Sequence, residues 1–214
     1  MKHIRVAIWL SSLCMSGLVL FVSPAVAQGQ YTVKPVVEKK VKQLPEGPLF
    51  WRIENLPTLA QAQAAAGAEG WNPDTVSYQP STSLAAEVAG TVWLFTLGPK
   101  GGSTPGASKV AEVGPVPPIK ASEYLLRINH GYGPPGAKTA VHTHPGSEAF
   151  YVVEGRLGQR TAHGTSHVEG GQSLNGHSAD MPMEISNSGT TELTALVMFV
   201  VDASRPFSVP AKFE

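Results

Sequence analysis

Apolar residues along this chain fall into two patterns, and both read as strands. Ala195-Leu-Val-Met-Phe-Val-Val201 is apolar throughout, the signature of a strand buried on both faces. Met181, Met183 and Ile185 alternate with Pro182, Glu184 and Ser186, which gives a strand one apolar face. Continuing this reading, the second half of the chain predicts strands over residues 122–130, 138–144, 148–154, 157–162, 166–169, 181–187 and 192–202. Glycines 155, 158, 164, 170, 171, 176 and 189 punctuate them at strand-length spacing. Residues 49–53 (Leu-Phe-Trp-Arg-Ile) and 91–96 (Thr-Val-Trp-Leu-Phe-Thr) read as further strands, and 71–82 as loop. One helix is expected over 59–68, opened by Pro57, rich in Ala and Gln and stopped by Gly67 and Gly70. Residues 28–47 are polar and broken by Pro35 and Pro45, so they read as an extended, flexible arm unless docked on a partner subunit. No internal repeat is present, which argues for a single all-β unit.

The N-terminus has the layout of a secretory leader. Lys2, His3 and Arg5 precede the apolar stretch 6–22, and Ala25-Val26-Ala27 is an A-x-A processing site. The expected divisions are a signal peptide (1–27), a flexible arm (28–48), an extension (49–119) packing on the main all-β unit, that unit (120–209) and a short tail (210–214). The implied location is periplasmic or secreted, with no membrane contact after processing. The one cysteine, Cys14, lies inside the leader, so the processed chain has neither a disulfide nor a nucleophilic thiol.

Charge adds little. Lys+Arg and Asp+Glu both number 16, and loss of Lys2 and Arg5 leaves a slightly acidic chain without a basic patch, so nucleic acid is not an expected partner. The 22 glycines and 18 prolines suit many short strands joined by tight turns. There is no G-x-S-x-G elbow, no Gly-rich phosphate loop and no C-x-x-C.

The candidate chemistry is concentrated in residues 136–155. His142 and His144, at i and i+2 of a strand, project from one face. If 145–147 form a three-residue hairpin loop, His144 lies opposite Glu148 and two imidazoles meet a carboxylate, a divalent-metal site. Gly136, His142, His144, Glu148 and Gly155 fill every fixed position of the first motif of the cupin superfamily, and the stretch closely resembles it. The resemblance implies an all-β, cupin-type jelly-roll β-barrel, here with an N-terminal extension containing one short helix, and a metal inside the barrel. Single cupin barrels often pair, so the resemblance also admits a homodimer.

The second cupin motif is only partly matched. Pro182 and Asn187 fit, whereas Ser178, Asp180 and Met183 stand where the family has Pro, Gly and its last ligand, His. Three ligand sets follow. His142, His144 and Glu148 alone form a 2-His-1-carboxylate set with open positions, suited to Fe and also admitting Mn, Ni or Zn. Met183 as a further ligand would favour Cu. His177 is the alternative further ligand, though an extended strand would separate it from Met183 by about 20 Å unless the chain bends near Asp180. One divalent ion, Fe or Mn by preference, is expected. The favoured function is a metal-dependent, oxygen-using oxidoreductase of dioxygenase type acting on a small molecule, with Glu148 as ligand and proton acceptor. The alternative is a non-catalytic binder of metal or small ligand.

Overall fold

A computed structural model describes residues 29–67 and 81–214, together with the backbone of 70–72 and 77–79. The expected leader (residues 1–27), with Cys14, lies outside the described residues. Among the described residues, no helix is long and apolar enough to cross a membrane.

The described residues are all-β with one helix. Its strands, in order, are β1 (Thr32–Val41), β2 (Phe50–Asn55), β3 (Gly70–Asn72), β4 (Ser77–Gln79), β5 (Ser83–Val88), β6 (Thr91–Gly98), β7 (Ser108–Val113), β8 (Tyr124–Gly133), β9 (His142–Thr143), β10 (Gly146–Glu154), β11 (Arg156–Thr161), β12 (Gly164–Glu169), β13 (Ser173–Asn175), β14 (Glu184–Asn187), β15 (Leu193–Asp202) and β16 (Val209–Pro210). Helix α1 (Leu59–Gly67) follows β2. Thr58 caps it, with Thr58 Oγ1 accepting from the Gln61 amide at 3.2 Å and donating to Gln61 Oε1 at 3.1 Å.

An antiparallel sheet in the order β1-β8-β15-β10-β13 forms the middle of the molecule. The alternation of side chains gives it two different faces. Phe150, Val152, Leu193, Ala195, Val197, Phe199 and Val201 point one way, onto Leu157, Val168 and Ile185 of the facing β12-β11-β14 sheet and onto Met183. Leu126, Ile128, Ala149, Tyr151, Leu196, Met198 and Val200 point the other way, onto the β5-β6-β2-β7 sheet with its Trp51, Ile53, Trp93 and Phe95. Trp93 and Tyr151 meet across this second interface with their rings 5.9 Å apart. The continuous apolar run of β15 is therefore buried on both faces, as its sequence predicts.

Three expectations need correction. Residues 28–48 are not a free arm: they include β1, which pairs along its length with β8 of the same chain. Its outer edge carries Lys34, Lys39 and Lys40, and a bulge falls between Pro35 and Val37, devices that suit an edge strand. Residues 71–82 include the short β3–β4 hairpin, in addition to loop. The hairpin expected to join the two histidines to β10 does not form. Both edges of β10 are occupied, by β15 (Glu148 opposite Phe199) and by β13 (Ala149 opposite Asn175). The histidine strand pairs instead with β16, where Thr143 faces Val209, and bridges to Met183 through His142.

Candidate metal centre

Despite the changed register, His144 and Glu148 converge. His144 leaves β9 with its carbonyl accepting from the Asp180 amide at 2.8 Å, while Glu148 points inward from β10 beside Phe150. Their Nε2 and Oε2 atoms are 4.0 Å apart. The His142 and His144 rings lie edge to face, 4.9 Å between centroids. All three side chains line a cavity of about 480 Å³, otherwise walled mainly by Phe150, Ile185, Val197, Phe199 and Phe207.

Backbone carbonyls hold both imidazoles. His142 Nδ1 donates to the Ala140 carbonyl at 2.8 Å and His144 Nδ1 to the Phe207 carbonyl at 2.6 Å. Each ring in that tautomer has its Nε2 lone pair free. The Phe207 ring packs 4.8 Å from His144 and 4.9 Å from Phe199, and the Arg127 guanidinium stacks on it at 4.2 Å. The connection between β15 and β16 thus lies over the histidine. Arg205, on the same connection, makes a forked ion pair with Asp180 at 2.6 and 3.1 Å.

Glu148 is fully buried, and burial pushes its carboxyl up to about 8, with the hydrogen bond from Gln159 opposing the shift. That bond, from Gln159 Nε2 to Oε1, is 2.8 Å long. Burial likewise lowers His144 to about 4, and the Phe207 carbonyl works against it. The Glu148 carboxyl faces the two imidazoles with one neutral hydrogen-bond donor, so burial favours its protonated form. The donor set of two imidazole nitrogens and one carboxylate suits a transition-metal ion. Among the described residues, however, no three such side chains are gathered into a finished coordination sphere. The 4.0 Å gap between His144 and Glu148 exceeds the about 3–3.5 Å expected between ligands sharing one ion at 2.0–2.2 Å. Binding would draw the two groups together.

The remaining ligand candidates lie elsewhere. Met183 is buried, as its register predicts, but its sulfur sits 3.8 Å from Gln159 Nε2 and it does not line the cavity. His177 does not line the cavity either, and burial and His163 lower its pKa. The bend near Asp180 exists, with that residue at φ 64°. Several site residues were not anticipated from sequence: Gln159, Phe207, Gly176 and Tyr31. Gly176 packs against Glu148 so closely that a β-carbon there would collide with its carbonyl oxygen and stand 2.7 Å from its Cγ. Gln159 had a detectable signal, because it stands two residues after Leu157 in β11 and so shares that apolar residue's face of the strand. Tyr31 and Phe207 come from segments distant in sequence and had none.

Neither a protein-family model nor a curated protein matches the chain. Among solved structures, it is similar to a cupin-like protein from Thermotoga maritima (15% identity, TM-score 0.37, 41% of this chain and 65% of that one). It is also similar to the polyketide cyclase RemF from Streptomyces resistomycificus (19% identity, TM-score 0.35, 42% and 62%). A third likeness is to the DMSP lyase DddQ from Ruegeria pomeroyi (20% identity, TM-score 0.35, 40% and 43%). The chain spans under half the length of the DMSP lyases it matches. The likeness carried by its own residues is of the same kind: Gly136, His142, His144, Glu148 and Gly155 stand at the spacing of the first cupin motif, on a chain folded into facing antiparallel sheets.

Proposed function

We propose that the protein is an exported, metal-dependent cupin enzyme acting on a small molecule, its ion held by His142, His144 and Glu148. The observation that carries this reading is the paired anchoring of the imidazoles. Both Nδ1 atoms are committed to backbone carbonyls, which leaves both Nε2 atoms available as ligands beside the buried Glu148 carboxyl. The export element rests on the leader-like residues 1–27.

When bound, the ion would act as a Lewis acid on a substrate oxygen or support chemistry with dioxygen. The chain's own contributions are separate from it. Glu148 is available to hold a proton near neutrality, Gln159 fixes one of its oxygens, and the aromatic walls exclude water. A 2-His-1-carboxylate set suits Fe(II), which favours an oxygen-using oxidoreductase. Met183 turned toward Gln159 supports open coordination positions, and hence turnover, over the non-catalytic binder that a thioether cap would suit.

The test is elemental analysis of the processed protein beside His144→Ala and Met183→Leu. Equimolar iron or manganese, absent from His144→Ala and retained in Met183→Leu, is the expected result. Copper lost from both variants would favour the closed binder, and no metal after reconstitution would sink both readings.

A further inference from the structure

Tyr31, immediately before β1, reaches the same cavity from the N-terminal segment. Its side chain is buried, and among the described residues its hydroxyl has no hydrogen-bond partner. The β1–β8 register sets Val33 against Gly131, and Gly131 makes the space: a β-carbon there would stand 2.5 Å from the Tyr31 oxygen. An orphaned hydroxyl costs folding free energy that phenylalanine would not incur, so the phenol calls for a reason other than packing. Burial, and secondarily the Glu148 charge, hold its pKa above the ordinary phenol value, so it keeps its proton.

The other cavity-facing groups narrow what this donor serves. Asn129 Oδ1 already accepts from Arg127 Nε at 3.1 Å, so its amide nitrogen is the end left to offer a donor. Phe150, Ile185, Val197, Phe199 and Phe207 offer only apolar surface. We infer that the Tyr31 hydroxyl donates to an oxygen atom of the molecule bound beside Glu148, and that the cavity selects small, otherwise apolar molecules carrying such an oxygen. This rests on the cavity being the binding site proposed above, and not on which ion is held.

The test compares the unmodified protein with Tyr31→Phe, each with and without Mn²⁺. The measurements are thermal melting without ligand, metal content, and titration with benzoate and with toluene. Tyr31→Phe should melt no lower than the unmodified protein and take up the same manganese. It should bind benzoate at least ~10-fold more weakly. Toluene should bind both forms alike. Benzoate binding that is equal in the two forms, or absent from both, overturns the inference, as does a lower melting temperature in the variant. Absence of manganese from both forms would count against the metal reading alone, because benzoate binding to the metal-free samples still decides the role of Tyr31.

Discussion

His144 Nδ1 and the Phe207 carbonyl oxygen stand 2.6 Å apart although 63 residues separate them in the chain. One hydrogen bond thus makes the C-terminal segment part of the histidine's orientation. The carbonyl is contributed by the backbone, so the identity of residue 207 matters through its ring and not through this bond.

A chain ended after Ala203 is expected to lose metal affinity by roughly 10–100-fold, as metal sites do when a ligand's orienting partner is removed. Phe207→Ala keeps the carbonyl and should retain most of the affinity. Competition with a chromophoric chelator measures both, and equal loss in the two would mean that the ring, not the carbonyl, holds His144.

Gln159→Leu deprives Glu148 of the one hydrogen bond that opposes its upward pKa shift. The carboxyl should titrate still higher in the metal-free protein, and metal binding should weaken by about 1.5–3 kcal/mol, the worth of a hydrogen bond to a charged group. Infrared titration of the buried carboxyl reads the first effect and calorimetry the second. No change in either would remove Gln159 from the site.

Stability of the metal-free protein should depend on pH in a direction set by Glu148. Its folded pKa, about 8, lies above its ordinary value of 4.5, so the folded state holds the extra proton in that window and loses stability as pH rises. His144 acts oppositely: folded at about 4 against an ordinary 6.5, it adds stability as pH rises between those values and nothing beyond. From pH 6.5 to 8 only the Glu148 slope remains, a loss of about 2 kcal/mol. Urea denaturation should show this fall in the unmodified protein and a flat profile in Glu148→Gln.

Gly176→Ala should push Glu148 out of place, because the added carbon has no room against that residue's backbone and Cγ. The expected cost is about 1–3 kcal/mol of stability together with loss of metal. Gly98→Ala, whose added carbon meets nothing, should stay within about 0.5 kcal/mol and serves as the comparison.

The local patterns were legible and the long-range pairings were not. The alternation at Met181, Met183 and Ile185 correctly turned Met183 inward, and the apolar run 195–201 correctly announced a doubly covered strand. The i, i+2 histidines and Glu148 line one cavity, by a route the sequence did not disclose. Pairing of β9 with β16 depends on residues more than sixty positions downstream, and no local turn signal at Pro145-Gly146 reports it. The arm was misread for a similar reason. Its lysines and prolines make it polar in isolation, and only the open edge of β8 explains why it is a strand. Tyr31 was invisible as long as that strand was.

The central strands of the middle sheet, β10 and β15, are covered on both faces, and this bears on how the protein can be dissected. A fragment beginning at residue 120 would keep His142, His144 and Glu148, and its histidine motif would look intact. It would also lay bare Leu126, Ile128, Ala149, Tyr151, Leu196, Met198 and Val200, an oily plane sized for a partner sheet. Such a fragment should clump with its own copies, whereas the whole chain keeps that plane covered.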